Sequence, residues 1–281
     1  MLLPVLDALD RRFGGPLRAA GGGSAITALL LAALLVACGN GSGGGSEPSD
    51  RGAGVGALGG SAETKTPARM RIADAEPGEL VWTAHEIRLA PGQAVEHEHE
   101  PAFVYGRSGE HSLSGAANGP LGRGERAPLA EGRGAAVPAG ALHTHEAGDD
   151  EAVFWEIRLA RPGAPPPPGA PGARRVFESA PLEGIPAPAQ ASLIEVTVPP
   201  RGGRTTVHTH PGPEFIYQLS GRIDYQNAII GTRRLGPGGA EGIPPNTAVQ
   251  KRNPYARPAS FLSLFLVDPE RPFAPKATFD P

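Results

Sequence analysis

VHTHPGPEFIYQLSG, residues 207–221, contains two histidines two residues apart and a glutamate four residues after the second. In a β-strand, residues i and i+2 point to the same face, so His208 and His210 direct two imidazoles at one point. Glu214 keeps the same parity and can supply an oxygen. Two histidines and one carboxylate with open coordination positions form the ligand set of non-haem iron oxygenases. The stretch therefore predicts a metal site on β-structure.

The composition fits globular segments joined by linkers. The chain has 281 residues, of which 40% are hydrophobic, and its 40 glycines and 32 prolines are clustered. A formal net charge of −3, with no basic cluster that contains interleaved aromatics, argues against nucleic-acid binding. Short runs such as LIEVTV, EFIYQL and FLSLFLV alternate with Pro and Gly turn signals. This spacing predicts an all-β sandwich or barrel in each half.

The two halves repeat each other. The motif HEH at 97–99 matches HTH at 208–210, and GRGAAVPAGALHTHEA (132–147) aligns with the segment from Gly238 to Asn253. A duplicated domain is the simplest account of this repeat. Six of the eight histidines fall in three H-x-H pairs, at 97/99, 143/145 and 208/210, which scattered structural histidines would rarely do.

These residues carry a family resemblance. The first cupin motif, G-x5-H-x-H-x3,4-E-x6-G, is matched at every fixed position by Gly202, His208, His210, Glu214 and Gly221. The second motif, G-x5-P-x-G-x2-H-x3-N, is matched in the first half by Gly132, Pro138, Gly140 and His143, with Ala147 replacing the final Asn. The chain resembles a bicupin over residues 67–275. The resemblance implies two tandem double-stranded β-helix (jelly-roll) barrels, each holding a metal in its interior.

In the first half, the resemblance implies a metal held by His97, His99 and His143. His145, two residues further on, could face the same way as a fourth ligand. Ala102 stands where the family has its glutamate, so no carboxylate is expected at this site. An all-imidazole set suits Zn, Cu, Ni or Fe.

In the second half, His208, His210 and Glu214 are all present, but Val249 stands where the motif histidine belongs. The carboxylate favours Fe(II) or Mn(II). The alternative is a barrel that kept the motif as a folding pattern after losing its metal. His111 is a further candidate, as an acid/base group or a partner of the ligands, or as an exposed strand-end residue.

The N-terminal segment predicts export and lipid anchoring. An apolar run over 25–37 is too short to cross a bilayer as a helix and follows several arginines. It ends in Leu35-Val36-Ala37-Cys38, which resembles the lipobox of bacterial lipoproteins, where the cysteine is acylated and begins the mature chain. A buried apolar helix with an incidental cysteine is the alternative, but the following Gly- and Ser-rich residues offer it nothing to pack against.

The expected organisation has five parts. They are a signal peptide (1–38), a flexible tether (39–66), a first barrel (67–160), a Pro-rich semi-rigid linker (161–175) and a second barrel (176–281). The expected location is the bacterial cell envelope, facing the periplasm or the exterior. The resemblance favours a metal-dependent dioxygenase-like oxidoreductase acting on a small molecule, with a metal-dependent decarboxylase or isomerase and a non-catalytic binding or sensing lipoprotein as alternatives. The sequence does not choose a substrate or an oligomeric state.

Overall fold

The computed structural model describes residues 57–74, 78–115, 126–170 and 172–279. Every regular element in these ranges is a β-strand, and the strands form four antiparallel sheets. One five-stranded and one four-stranded sheet make up each of two barrels. The prediction of an all-β fold with two jelly-roll barrels is confirmed. Within the described ranges, no helix is long and apolar enough to cross a membrane.

The first barrel contains nine of the strands. Its five-stranded sheet has the order β10-β2-β9-β4-β7, and its four-stranded sheet has the order β3-β8-β5-β6. The strands are β2 (Val81–Leu89), β3 (Ala94–His97), β4 (Ala102–Ser108), β5 (His111–Gly115), β6 (Arg126–Leu129), β7 (Gly134–Val137), β8 (His143–Ala147), β9 (Ala152–Ala160) and β10 (Arg174–Glu178).

The second barrel repeats this plan. Its five-stranded sheet has the order β1-β11-β18-β13-β16, and its four-stranded sheet has the order β12-β17-β14-β15. The strands are β1 (Glu63–Ile72), β11 (Ala189–Val198), β12 (Gly203–Arg204), β13 (Glu214–Ser220), β14 (Ile223–Asn227), β15 (Gly231–Leu235), β16 (Ala240–Ile243), β17 (Val249–Asn253) and β18 (Ala259–Val267).

The two five-stranded sheets share a hydrophobic core. Trp82, Phe103 and Trp155 of the first barrel and Phe215 and Leu264 of the second belong to one buried cluster, and each barrel has a further core of its own. Strand β9 is buried at every position because one face lines its barrel and the other packs in the shared core. Two-sided burial explains why β9 and β18 are nearly continuous apolar runs.

Each repeated half of the chain contributes its first strand to the barrel formed mainly by the other half. Strand β1, which precedes the first barrel in the chain, pairs with β11 of the second. Strand β10, which begins the second half of the chain, pairs with β2 of the first barrel. Leu58 also packs into the second barrel's interior core, at 1% exposure. The structure thus differs from the predicted boundaries, since residues 57–66 of the expected tether lie on the second barrel and strand β10 starts inside the expected linker.

The Pro-rich segment 161–170 packs against the first barrel and is not a free spacer. Ala164 and Pro167 are buried. Pro168 O accepts a hydrogen bond from His97, and Pro165 O accepts one from Arg158. The composition predicts a semi-rigid spacer, but it does not reveal that carbonyls of this segment accept hydrogen bonds from the barrel.

Candidate metal centres

The first barrel brings three of the predicted histidines together. His97 ends β3 and His143 begins β8, and these two residues are direct partners in the antiparallel register. His99 lies two residues beyond His97, and its side chain is 2% exposed. The ring centroids of the three histidines lie 4.6–5.3 Å apart.

Hydrogen bonds to the backbone fix the tautomer of each ring. Nδ1 of His97 donates to Pro168 O at 3.1 Å, Nδ1 of His99 to Glu100 O at 2.6 Å, and Nδ1 of His143 to Ala141 O at 2.8 Å. A carbonyl oxygen only accepts, so the proton is on Nδ1 and the lone pair is on Nε2. All three Nε2 atoms therefore present lone pairs to the barrel interior.

Glu156 supplies the carboxylate that the sequence analysis expected to be absent. Its Oε1 lies 3.0 Å from His97 Nε2 and 3.3 Å from His143 Nε2, and it also contacts His99 Nε2. Glu156 belongs to β9 and is paired with Val104 of the neighbouring strand. The expectation of an all-imidazole site was wrong because the motif places its carboxylate at the position of Ala102 on β4, whereas here the carboxylate comes from Glu156 on the neighbouring strand β9.

The first cluster consists of acceptors that converge without a donor between them. His97, His99, His143 and Glu156 each offer one ligand atom, and these atoms lie within 4.8 Å of one another. An ionised carboxylate facing three imidazole lone pairs fits a divalent cation, which would bind all four.

His145 and His111 lie beneath this cluster. Nε2 of His145 is 4.0 Å from Glu156 Oε1, and its ring stacks on Phe154 at 4.4 Å. His111 stacks on the same phenylalanine at 4.2 Å and lies 5.3 Å from the His145 ring. Burial lowers the pKa of His145 well below its usual range and that of His111 to about 4, so both rings are neutral near pH 7. His111 is buried at 1% exposure, which excludes the exposed strand-end alternative.

Arg158 lies on the opposite side of the cluster from Phe154. Alternation along β9 directs Phe154, Glu156 and Arg158 to the barrel interior. The guanidinium of Arg158 donates to Glu100 Oε2 at 3.2 Å and to Pro165 O. Its Nε has no partner among the described atoms. Going outward, the first barrel thus has an aromatic layer, a ligand layer and a cationic layer beneath the Pro-rich segment.

The second barrel brings together His208, His210 and Glu214, as predicted. Nδ1 of His208 donates to Thr206 O at 2.8 Å and Nδ1 of His210 to Phe273 O at 2.7 Å, so Nε2 carries the lone pair in both rings. Burial, aided by the charge of Lys251, lowers the pKa of His208 to about 3. Burial likewise lowers the pKa of His210 to about 4.

Glu214 already has a cationic partner. Nζ of Lys251 lies 2.9 Å from Oε1 and 2.8 Å from Oε2, and Ser263 Oγ donates to Oε1 at 2.8 Å. Burial would raise the pKa of Glu214, but the charge of Lys251 outweighs it and the pKa is lowered. Lys251 was not identified from the sequence, although it shares the inward parity of Val249.

Cys38 and the predicted signal peptide lie outside the described residues.

Comparisons with known proteins agree with this fold. Residues 194–265 match the model of the Cupin domain. The fold is similar to oxalate decarboxylase from Bacillus subtilis, with 17% identity over 75% of this chain and 74% of that one, at a TM-score of 0.52. A second structure of that enzyme, described for its Mn(II) centres, shares 16% identity over 76% and 75%, also at 0.52.

The formate complex of oxalate decarboxylase from Lactobacillus farciminis is also similar, with 15% identity over 70% of this chain and 85% of that one, at a TM-score of 0.50. No curated protein matches the chain in sequence. At these identities the structures support the fold alone. The match to the cupin model thus lies in the second barrel, and the overall fold is similar to that of the oxalate decarboxylases.

Proposed function

We propose that this protein binds a divalent metal ion in its first barrel and uses it to transform a small carboxylate. The observation that carries the proposal is the convergence of three imidazole lone pairs and the Glu156 carboxylate on one buried point. Each acceptor desolvated there without a donor costs free energy, so the arrangement needs a cation. With one carboxylate the occupied site has a net charge of +1, and the mixed N/O donor set suits Mn(II) or Fe(II).

Each residue of this layer has a defined task. His97, His99, His143 and Glu156 would hold the ion, and the backbone carbonyls that accept from Nδ1 would keep the rings oriented. When bound, the metal polarises an oxygen of the substrate as a Lewis acid. His145 and His111, neutral and stacked on Phe154, close the inner side of the site against water.

Arg158 supports the choice of a carboxylate substrate. It provides a second positive charge on the same face of β9 as Glu156, two residues away and toward the Pro-rich segment. A guanidinium binds a carboxylate through paired N–H donors, and here its present carboxylate partner, Glu100, has a side chain that is 43% exposed. An incoming substrate carboxylate would replace Glu100 as the partner of Arg158.

Decarboxylation is the reaction class that we favour. A carboxylate bound by Arg158 would be oriented for cleavage of its C–C bond, which releases CO₂ while the carbanion that remains takes up a proton from water. Oxalate decarboxylases share the fold. Oxygen-dependent cleavage, which the sequence resemblance favours, is supported by the donor types alone. An assay of CO₂ release and O₂ uptake separates the two reactions, because decarboxylation releases CO₂ without net O₂ consumption.

The test is metal analysis of the purified protein, followed by CO₂ release and O₂ uptake with a panel of small mono- and dicarboxylates. We expect bound metal and CO₂ release that falls at least about 100-fold in Arg158→Gln, with partial retention in Arg158→Lys. Arg234→Gln, an exposed arginine of the second barrel, is the matched control. Metal binding without turnover of any carboxylate would instead support the non-catalytic binding alternative.

We also propose that the protein is anchored to the bacterial cell envelope through acylated Cys38. The support is the apolar run 25–37, the Leu35-to-Cys38 lipobox and the Gly-rich segment after it. Acylation by several chains gives stable attachment, whereas one chain is marginal. Cys38→Ser should release the protein from membranes or leave the precursor uncleaved. A Cys38→Ser protein that fractionates and migrates like the parent would contradict the anchor.

A further inference from the structure

Lys251 occupies a position that in the first barrel holds a histidine next to the ligand cluster. In the first barrel His97 pairs with His143, and in the second His208 bridges to Val249. Two residues further along each strand stand His145 and Lys251. The register of the next strand agrees, because His145 pairs with Leu113 and Lys251 with Tyr225. Lys251 is therefore the counterpart of His145 in the second barrel.

The ammonium group of Lys251 lies in the ligand cluster of the second barrel. Nζ contacts both oxygens of Glu214, and both side chains are fully buried. The pair is held further by Ser263, whose Oγ donates to Oε1. The carboxylate therefore has three donor contacts. The charge of this interior, −1 from Glu214 and +1 from Lys251, sums to zero without a metal.

A divalent ion at His208, His210 and Glu214 would be close to this ammonium. A metal–oxygen bond is about 2.0–2.2 Å long, and Nζ is about 3 Å from the same oxygens, so the two cations would lie at most about 5 Å apart. In a buried site such repulsion is poorly screened. The donor types in the second barrel suit a metal, but the charge does not.

We propose that Lys251 takes the place of the metal ion in the second barrel, so that this barrel excludes divalent cations and metal binding belongs to the first barrel alone. Val249 then accounts for only part of the loss, and restoring its histidine is not enough to create a site. The inference does not depend on catalysis by the first barrel. It concerns the chain's own residues and is read out by metal binding.

The test uses cobalt(II), whose visible absorption reports bound metal, with the full chain carrying His97→Ala and His143→Ala to remove the first site. This background should bind no cobalt at micromolar metal, and adding Val249→His should change nothing. Adding both Val249→His and Lys251→His should create one equivalent. Lys65→His, at an exposed lysine, is the matched control and should leave the count unchanged.

Three results would overturn the proposal. One is cobalt binding by the background that disappears in His208→Ala. Another is a full equivalent bound after Val249→His alone. The third is a folded variant with both replacements that still binds none. If the Lys251 variant does not fold, the first two measurements still decide the question. Failure of the proposed function would give a different result. The parent chain would then show no bound metal or no turnover, while the cobalt equivalents of the second-barrel variants would stay as expected.

Discussion

The two barrels share one backbone plan and differ in where each places its interior charges. In the first, the carboxylate comes from Glu156 on β9 and faces three imidazoles that carry no proton toward it. In the second, it comes from Glu214 on β13, and Ser263 on β18 occupies the position equivalent to Glu156. The second barrel adds Lys251, so its carboxylate is neutralised from within the chain. A metal site is therefore decided less by the number of histidines than by whether the protein supplies its own cation.

The caps over the two sites are a second point of comparison. In each barrel, the segment after the last long strand covers the ligand cluster and accepts a hydrogen bond from one of its imidazoles. Pro168 O does this for His97, and Phe273 O does it for His210. The first cap is Pro-rich and also contacts Arg158. In the second barrel the ring of Phe273 packs 4.9 Å from His210, so that cap is apolar where the first is polar.

Moving the carboxylate between strands should have the largest effect. Glu156→Ser, which copies the second barrel, should weaken metal binding by more than about 100-fold, since losing a ligand costs more than losing an outer partner. Combining it with Ala102→Glu puts a carboxylate at the position of Glu214 and should restore most of the affinity. Metal titration by calorimetry measures both. No loss in Glu156→Ser would show that the carboxylate is not a ligand.

Breaking the internal ion pair of the second barrel should come next. Lys251→Met leaves Glu214 buried and uncompensated, which should lower the free energy of unfolding by about 3–5 kcal/mol. Adding Glu214→Gln removes the unpaired charge and should recover a large part of this loss. Urea unfolding in the presence of a chelator measures the cycle. Lys65→Met, at a half-exposed pair with Glu195, should cost no more than about 1 kcal/mol. Equal costs for the two lysine variants would contradict a buried charge pair.

The smallest of these effects concerns His111 in the interior of the first barrel. The equivalent position in the second barrel is occupied by Ile223. The folded pKa of His111 is lowered to about 4, so the unfolded chain binds more protons as the pH falls from about 6.5. Stability of the metal-free protein should therefore decline toward pH 4, by up to about 3 kcal/mol from this group. His111→Ile should reduce that decline by a similar amount in unfolding curves at pH 7 and pH 4.5. Parallel declines in parent and variant would contradict this prediction.

The sequence predicted the histidines because their spacing is local. An H-x-H pair on a strand needs no knowledge of the rest of the fold, and the repeat showed which pairs correspond. Glu156 could not be identified in this way, since its position depends on β9 pairing with β4. A signal was nevertheless present. Glu156 and Arg158 are charged residues at alternate positions of an otherwise apolar strand, and buried charges are rarely left without partners.

Lys251 was missed for a related reason. The cupin motif includes the position of Val249, where a ligand is lost, but it does not include the position of Lys251. The repeat itself aligned Lys251 with His145, and the strand parity directed both inward. The strand exchange had no sequence signal at all, because β1 and β10 have ordinary strand patterns and their partners are set by tertiary packing.

The exchange of β1 and β10 has a consequence for how this chain can be divided. A fragment beginning at residue 176 would lack β1 and leave the edge of β11 unpaired, which favours aggregation. The other fragment would lack most of β10 and would carry β1 without its partner strand. A proteolytic cut in the Pro-rich segment should therefore yield two pieces that stay associated and lose their structure in a single transition. In this respect the chain resembles a domain-swapped dimer joined into one polypeptide, and its two halves fold as one cooperative unit.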